Sequence, residues 1–170
     1  MSKLPNCLTC HKPKANLECA LCHEAICKYC AQFIDEAGFS FLRKIPEVLS
    51  HTTYCTNCFD THVSAAHFDY TEKLEKAKQV NIFYKNEGKA TRLFKRKEIP
   101  YTVENCVDRD EALMKMSFWA VEDGFNSLID IELKSNKAIV NTYVTISWSG
   151  SAVPITLSED DLRKTGYQAP

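Results

Sequence analysis

The sequence has no apolar run that approaches the ~18 residues of a membrane-spanning helix, although 45% of its 170 residues are hydrophobic. The opening stretch Met1-Ser-Lys-Leu-Pro-Asn-Cys7 lacks the apolar core of an export signal, so the expected compartment is the cytoplasm. Thiols stay reduced there, and paired cysteines read as metal ligands rather than disulfides. A catalytic carboxylate pair, a phosphate-cradling glycine loop, and a nucleophile with an orienting acid are all missing. The expectation is a protein that is not an enzyme. Basic excess is missing too. The formal net charge is −1, and eight thiolates holding two zinc ions bring the balance to about −5. That speaks against a nonspecific nucleic-acid binder. From residue 80 onward there is no histidine and only one cysteine, Cys106.

What is present is concentrated near the start. Eight of the nine cysteines form four C-x-x-C pairs: Cys7/Cys10, Cys19/Cys22, Cys27/Cys30 and Cys55/Cys58. Two intervening residues let the chain turn so that both sulfurs face one point, and eight thiolates complete two closed four-cysteine zinc sites. Two connectivities fit. Consecutive pairs could share an ion, giving two beads on the chain. Alternatively the pairs interleave as a cross-brace, with Cys7, Cys10, Cys27 and Cys30 on one zinc and Cys19, Cys22, Cys55 and Cys58 on the other. Only four residues separate Cys22 from Cys27. So short a link favours assigning its two ends to different ions, and crossed loops staple a core too small to hold itself. His11 and His23 stand beside ligand cysteines, but eight cysteines already close both sites. His51, His62 and His67 read as surface or helix-face residues.

The order C-x2-C, C-x2-C-x4-C-x2-C and a distant C-x2-C resembles the FYVE zinc-finger superfamily. Cys22-His-Glu-Ala-Ile-Cys27 resembles its segment between the fourth and fifth ligands, and His51-Thr-Thr-Tyr-Cys55-Thr-Asn-Cys58-Phe its closing strand and last pair. The resemblance covers about a third of the chain and implies a treble-clef type cross-brace followed by a helix. Lipid-binding members carry W-x-x-D before the first cysteine, a basic R-R/K-H-H-C-R motif at the third ligand, and R-V-C at the seventh. Here Ser2 to Asn6 contain neither Trp nor Asp, Ala15-Asn-Leu-Glu18 precedes Cys19, and Thr53-Tyr54 precedes Cys55. A phosphoinositide needs charge-assisted donors for its phosphates, so phosphoinositide membrane binding is not expected.

Residues 31–50 read as an apolar insertion: either a cover over the zinc core or an exposed patch for a partner. From Phe59 to Gln79 apolar residues recur at helical spacing (Val63, Ala66, Tyr70, Leu74, Ala77), which predicts a linker helix. Beyond it, Val80–Lys85 and Ala90–Lys97 read as a hairpin through Asn86-Glu-Gly88-Lys89. Asp108 caps a helix that Gly124 stops. Ser127–Lys134 alternates, with Ile129, Ile131 and Leu133 on one face. Ser135-Asn136 then reads as a turn into a strand over Lys137–Trp148, with a last strand over Ala152–Thr156 and a helix capped at Ser158.

The plan is β-β-α-β-β, one helix on an antiparallel sheet. Glu111-Ala-Leu-Met, Ala120-Val-Glu-Asp-Gly124-Phe-Asn-Ser-Leu-Ile-Asp-Ile and Ser149-Gly-Ser-Ala-Val153 resemble the YbjQ-like bacterial family, whose members resemble ring-forming oligomers. Cys106 reads as a small buried hydrophobe.

The expectation is thus α+β: a double zinc finger over 1–60, a linker helix over 61–79 and a small domain over 80–170. Two Zn2+ per chain would make a platform for protein recognition, carried by a domain that oligomerises. The second reading is RNA binding through the zinc module and the basic hairpin 85–97, where Lys85, Lys89, Arg92, Lys95, Arg96 and Lys97 interleave with Phe83, Tyr84 and Phe94. The third is peripheral membrane binding of the FYVE type.

Overall fold

The computed structural model describes residues 5–13, 15–35, 38–85, 94–140 and 143–165. The chain is α+β and divides into two units, Met1–Glu72 and Lys73–Pro170. No described helix is long and apolar enough to cross a membrane.

The first unit has little regular structure. Strands β1 (Leu17–Glu18) and β2 (Ala25–Ile26) pair antiparallel, as do β3 (Ala31–Phe33) and β4 (Thr53–Cys55). A short helix, α1 (Thr56–Cys58), runs on through a widened π turn at Phe59–Val63 into α2 (Ser64–Ala77). The core is made largely of cysteine: Cys7, Cys19, Cys55 and Cys58 are buried with Ala15 and Ile26. Strands of two or three residues and so few aliphatic side chains bury too little apolar surface to stand unaided. Along the helix, Val63 and Tyr70 are buried. The insertion supplies cover in part. Ile34, Phe39 and Leu49 are buried, with the Phe39 ring edge-on to Tyr70 at 5.1 Å and to His67 at 6.0 Å. Its Phe33, Ile45 and Val48 are exposed. Tyr54 is fully buried, and its hydroxyl donates to the carbonyls of His51 and Val48.

The second unit is a four-stranded sheet of order β5-β7-β8-β6, formed by β5 (Asn81–Tyr84), β6 (Tyr101–Cys106), β7 (Ser127–Val140) and β8 (Tyr143–Ile155). It is not purely antiparallel: β5 runs parallel to β7, and β6 and β7 both run against the β8 strand between them. Helix α3 (Arg109–Glu122) makes the crossover from β6 to β7, a connection that strands sharing a direction require. Ala112, Met116 and Ala120 of α3 are buried with Val103, Leu128, Ile131 and Ala152 of the sheet. Gly150 lets the helix come close: a Cβ there would lie 2.6 Å from Leu133 Cδ2 and 3.1 Å from Met116 Cε. On the opposite face Phe83, Ile129 and Leu157 are buried, flanked by Phe94 and by Leu162 of α4 (Glu159–Thr165).

The helix signals read from the sequence are in place. Asp108 accepts from the Glu111 N–H at 2.7 Å. After α3, Gly124 takes φ +83°, the Phe125 N–H donates to the Ala120 carbonyl and the Gly124 N–H to that of Val121, a Schellman closure. Ser158 caps α4 through Asp161.

The strands differ from expectation in three respects. The proposed hairpin turn at 86–89 and residues 90–93 lie outside the described residues, and Phe94–Lys97 is not strand. The second strand is Tyr101–Cys106 instead. Ser135 and Asn136 are not a turn. They sit inside β7, paired with Trp148 and Ser147, so the expected strand over Lys137–Trp148 is divided between β7 and β8, and Ala152–Ile155 is the end of β8 rather than a separate last strand. Finally, Ile129 faces away from Ile131 and Leu133. Asp130 has φ +53°, and the register slips between Ile129 and Glu132, so this bulge inverts the alternation.

Candidate metal centre

The two zinc sites begin as two copies of one turn. At the first pair, the Cys7 N–H donates to the Lys12 carbonyl and the His11 N–H returns to the Cys7 carbonyl, both at 2.9 Å. At the second, the Cys19 N–H donates to the Glu24 carbonyl at 3.0 Å and the His23 N–H to the Cys19 carbonyl at 2.9 Å. The residue after the second cysteine is left-handed in both, His11 at φ +57° and His23 at φ +60°. Each turn brings its two thiols to one side, with the N–H groups of Thr9 and Cys10 aimed at the Cys7 sulfur and those of Leu21 and Cys22 at the Cys19 sulfur, while the Leu8 and Ala20 N–H groups donate to the Ala25 and Thr53 carbonyls.

The partner pairs arrive differently. Cys27 and Cys30 sit on a turn closed by the Cys30 and Ala31 N–H groups on the Cys27 carbonyl, and the Cys27 N–H reaches Cys7 Sγ at 3.3 Å. Cys55 ends β4 and caps α1, its Sγ accepting from the Cys58 N–H at 3.4 Å.

Cys7, Cys10, Cys27 and Cys30 converge as one group, and Cys19, Cys22, Cys55 and Cys58 as the other. Within each group the four sulfurs lie within 4.8 Å of one another. The grouping is therefore interleaved along the chain, and it brings together the two sets of four that the cross-brace spacing predicts. No pair is bonded as a disulfide. Cys10 and Cys27 sulfurs stand 3.7 Å apart, and those of Cys22 and Cys55 3.9 Å apart. A tetrahedron with Zn–S bonds of about 2.3 Å has edges of about 3.8 Å. The two groups fit two zinc ions.

The electrostatics of the bare thiols fit the same conclusion. N–H donation from Cys10, with help from Cys27 and Thr9, lowers the Cys7 thiol to about 6. At Cys19 burial works the other way, but the N–H groups of Cys22, Cys55 and Leu21 outweigh it and bring that thiol to about 6 as well. Cys30 and Cys58 shift the opposite way. The Cys30 thiol is pushed up to about 12 by its hydrogen bond to Cys27 and by burial. Cys58 is pushed far up by burial and by its contacts with Cys55 and Cys22. Four sulfurs in one small volume cannot all ionise without a cation among them, and a divalent ion removes that conflict.

Neither His11 nor His23 belongs to a ligand group. Both serve the turn, and the His23 ring is held by Glu18 at 2.9 Å. His51 and His67 make ring contacts with Tyr54 and Phe39, and His62 is exposed. Cys106 is buried, and burial, with Glu111 nearby, pushes its thiol up. In the basic stretch, Lys85 is paired with Glu132, and Arg96 makes a two-pronged contact with Asp130. Lys89 and Arg92 lie outside the described residues. Phe33, in the apolar segment 31–50, is 61% exposed at the end of β3, and a second exposed ring is one that no sequence pattern marks: Tyr29, 85% exposed within the third cysteine pair.

Compared with protein-family models, with curated proteins and with solved structures, the chain matches none.

Proposed function

We propose that the chain is a zinc-binding interaction protein of the cytoplasm. Two structural zinc ions turn residues 1–60 into a rigid FYVE-like, treble-clef type platform that recognises a protein partner. Residues 80–170 form a YbjQ-like domain that oligomerises and multiplies the platform, so that weak single contacts gain from avidity. The observation that carries the reading is closure. Each group holds four thiols, and a site of four thiolates leaves zinc no open position for water or substrate. A metal held this way organises the chain and performs no chemistry, so the protein is read as having no catalytic residues.

Recognition of a protein is favoured by the aromatic rings at Tyr29 and Phe33, the residue type that dominates interface energetics. RNA binding through 85–97 is the weaker reading, because Glu132 and Asp130 already engage Lys85 and Arg96. FYVE-type membrane binding lacks the basic donors a phosphorylated headgroup needs. Native mass spectrometry of the purified chain tests the core of the proposal. Two zinc ions per chain, with loss of far-ultraviolet structure in the finger on chelation, is the expected result. A metal-free chain that keeps its fold would overturn it.

A further inference from the structure

Strands β7 and β8 run well past the rest of their sheet. β5 pairs with β7 only over 81–84 against 127–131, and β6 pairs with β8 only from Trp148 inward. Over 135–140 and 143–147 the two strands are paired, among the described residues, only to each other, so they form an arm. A two-stranded ribbon is marginal in water without a hydrophobic cover.

The faces of this arm are unlike. Cross-strand pairs Leu133–Gly150, Ser135–Trp148, Lys137–Ile146 and Ile139–Val144 share one face. It is the face on which α3 lies, since Leu133 and Trp148 pack against the α3 core. Past the end of the helix it stays apolar: Ile146, Val144 and Ile139 are 53%, 62% and 76% exposed. The other face carries Lys134, Ser149, Asn136, Ser147, Ala138 and Thr145, with one exposed ring, Tyr143, at its end; the Asn136 amide donates to Ser149 Oγ at 3.1 Å. A ribbon meant for water on both sides has no use for β-branched aliphatics along one of them.

We propose that the apolar face of the arm is a homodimer interface, covered by the same face of a second copy. This names the surface for the oligomerisation in the functional reading and rests on that part of it. The face is self-complementary: it holds no acidic side chain that a second copy would have to match, and its one cation, Lys137, has an open edge to reach solvent. A two-fold axis across the Lys137–Ile146 pair sets Ile139 and Val144 of each copy over Trp148 of the other, an isologous contact. The exposed part of Ile139, Val144 and Ile146 is on the order of 350 Å2, about the largest apolar patch an ordinary monomer carries. Two such faces, with Trp148 and the Lys137 stems, bury about 1,000 Å2, the lower bound of a specific interface.

Sedimentation velocity on the zinc-loaded full chain is the test, run beside Ile139→Thr/Val144→Thr/Ile146→Thr and, on the opposite face, Tyr143→Thr. Threonine keeps the β-branched shape that strands favour. The parent and the Tyr143→Thr chain are expected to sediment as dimers at tens of micromolar. The triple variant should sediment as a monomer with unchanged circular dichroism and unchanged zinc per chain. A monomeric parent overturns the proposal, as does a triple variant that still dimerises. So does a parent that is monomeric in buffer but floats with phosphatidylcholine–phosphatidylglycerol vesicles, which would make a bilayer the occupant. Zinc stoichiometry is read separately, so a failed zinc reading and a failed interface give different results. If the triple variant does not fold, Ile139→Thr alone, at the arm's tip, is expected to weaken self-association at least tenfold, and no change in it counts against the interface.

Discussion

Two histidines show how much one position can conceal. His11 and His23 follow ligand cysteines and so invite a reading as spare ligands, yet each is the left-handed residue that lets its turn close. Glycine is the residue that usually marks such a position, and its absence hides the turn from a sequence reading. An L-residue there carries about 1–2 kcal/mol of strain, while glycine costs about 0.5–1 kcal/mol of extra chain entropy. His11→Gly and His23→Gly should therefore each stabilise the finger by about 0.5 kcal/mol, read as a higher guanidinium midpoint at fixed free zinc. The side-chain contact with Glu18 that His23→Gly removes is exposed on both sides and contributes little. A lower midpoint in both variants would mean that the rings, not the backbone, are what these positions need. The eight ligating sulfurs were legible because spacing alone forces pairs to converge. The exposed ring of Tyr29 was not, and which apolar residues of 31–50 stay exposed, Phe33 among them, was left open, because exposure depends on which side of a short strand or turn the fold leaves uncovered.

Among the elements, α3 was readable from its caps and its stripe, since both signals are local. The strands were harder, and bulges are the reason. In β6, Val103 and Cys106 are both buried, three residues apart, because Asn105 adopts φ +56°; an alternation search passes over such a strand. In β7, Asp130 does the same with φ +53° while Arg96 holds its carboxylate. That contact keeps the Asp130 carboxyl below its usual range.

Nothing in the sequence marks Asn126, although it replaces a missing strand partner. Its side chain donates to the Leu157 carbonyl and accepts from the Leu157 N–H, both at 2.9 Å, while its own carbonyl accepts from the Asn81 N–H. Asn126→Ala removes both bonds to Leu157, and a third that its Oδ1 accepts from Ser127 Oγ, and should cost about 1–2 kcal/mol, seen as a lower urea midpoint for the second unit. Asn126→Asp keeps only the acceptor and is expected to fall between the two. An alanine variant as stable as the parent would show that Leu157 is held by packing alone.

For the chain as a whole, the interleaved ligands matter most. Cys19 and Cys22 lie within the loop closed by the first site, and Cys27 and Cys30 within the loop closed by the second. Zinc binds thiolate, so on loading Cys30 and Cys58, whose thiols are pushed up when bare, must give up protons. The sign follows: affinity rises with pH, and acid returns the protons and expels the metal. Freeing either ion slackens a loop that holds ligands of the other, so the second ion is left with a site that no longer keeps its shape. Lowering the pH, or adding a chelator at neutral pH, should take the protein from two ions to none. A native mass spectrum dominated by the one-zinc chain at the midpoint would contradict this. The braid of two loops thus acts as a counting device. A cell short of zinc would hold a mixture of complete and empty molecules, and the protein's active fraction would follow metal supply more steeply than a single site allows.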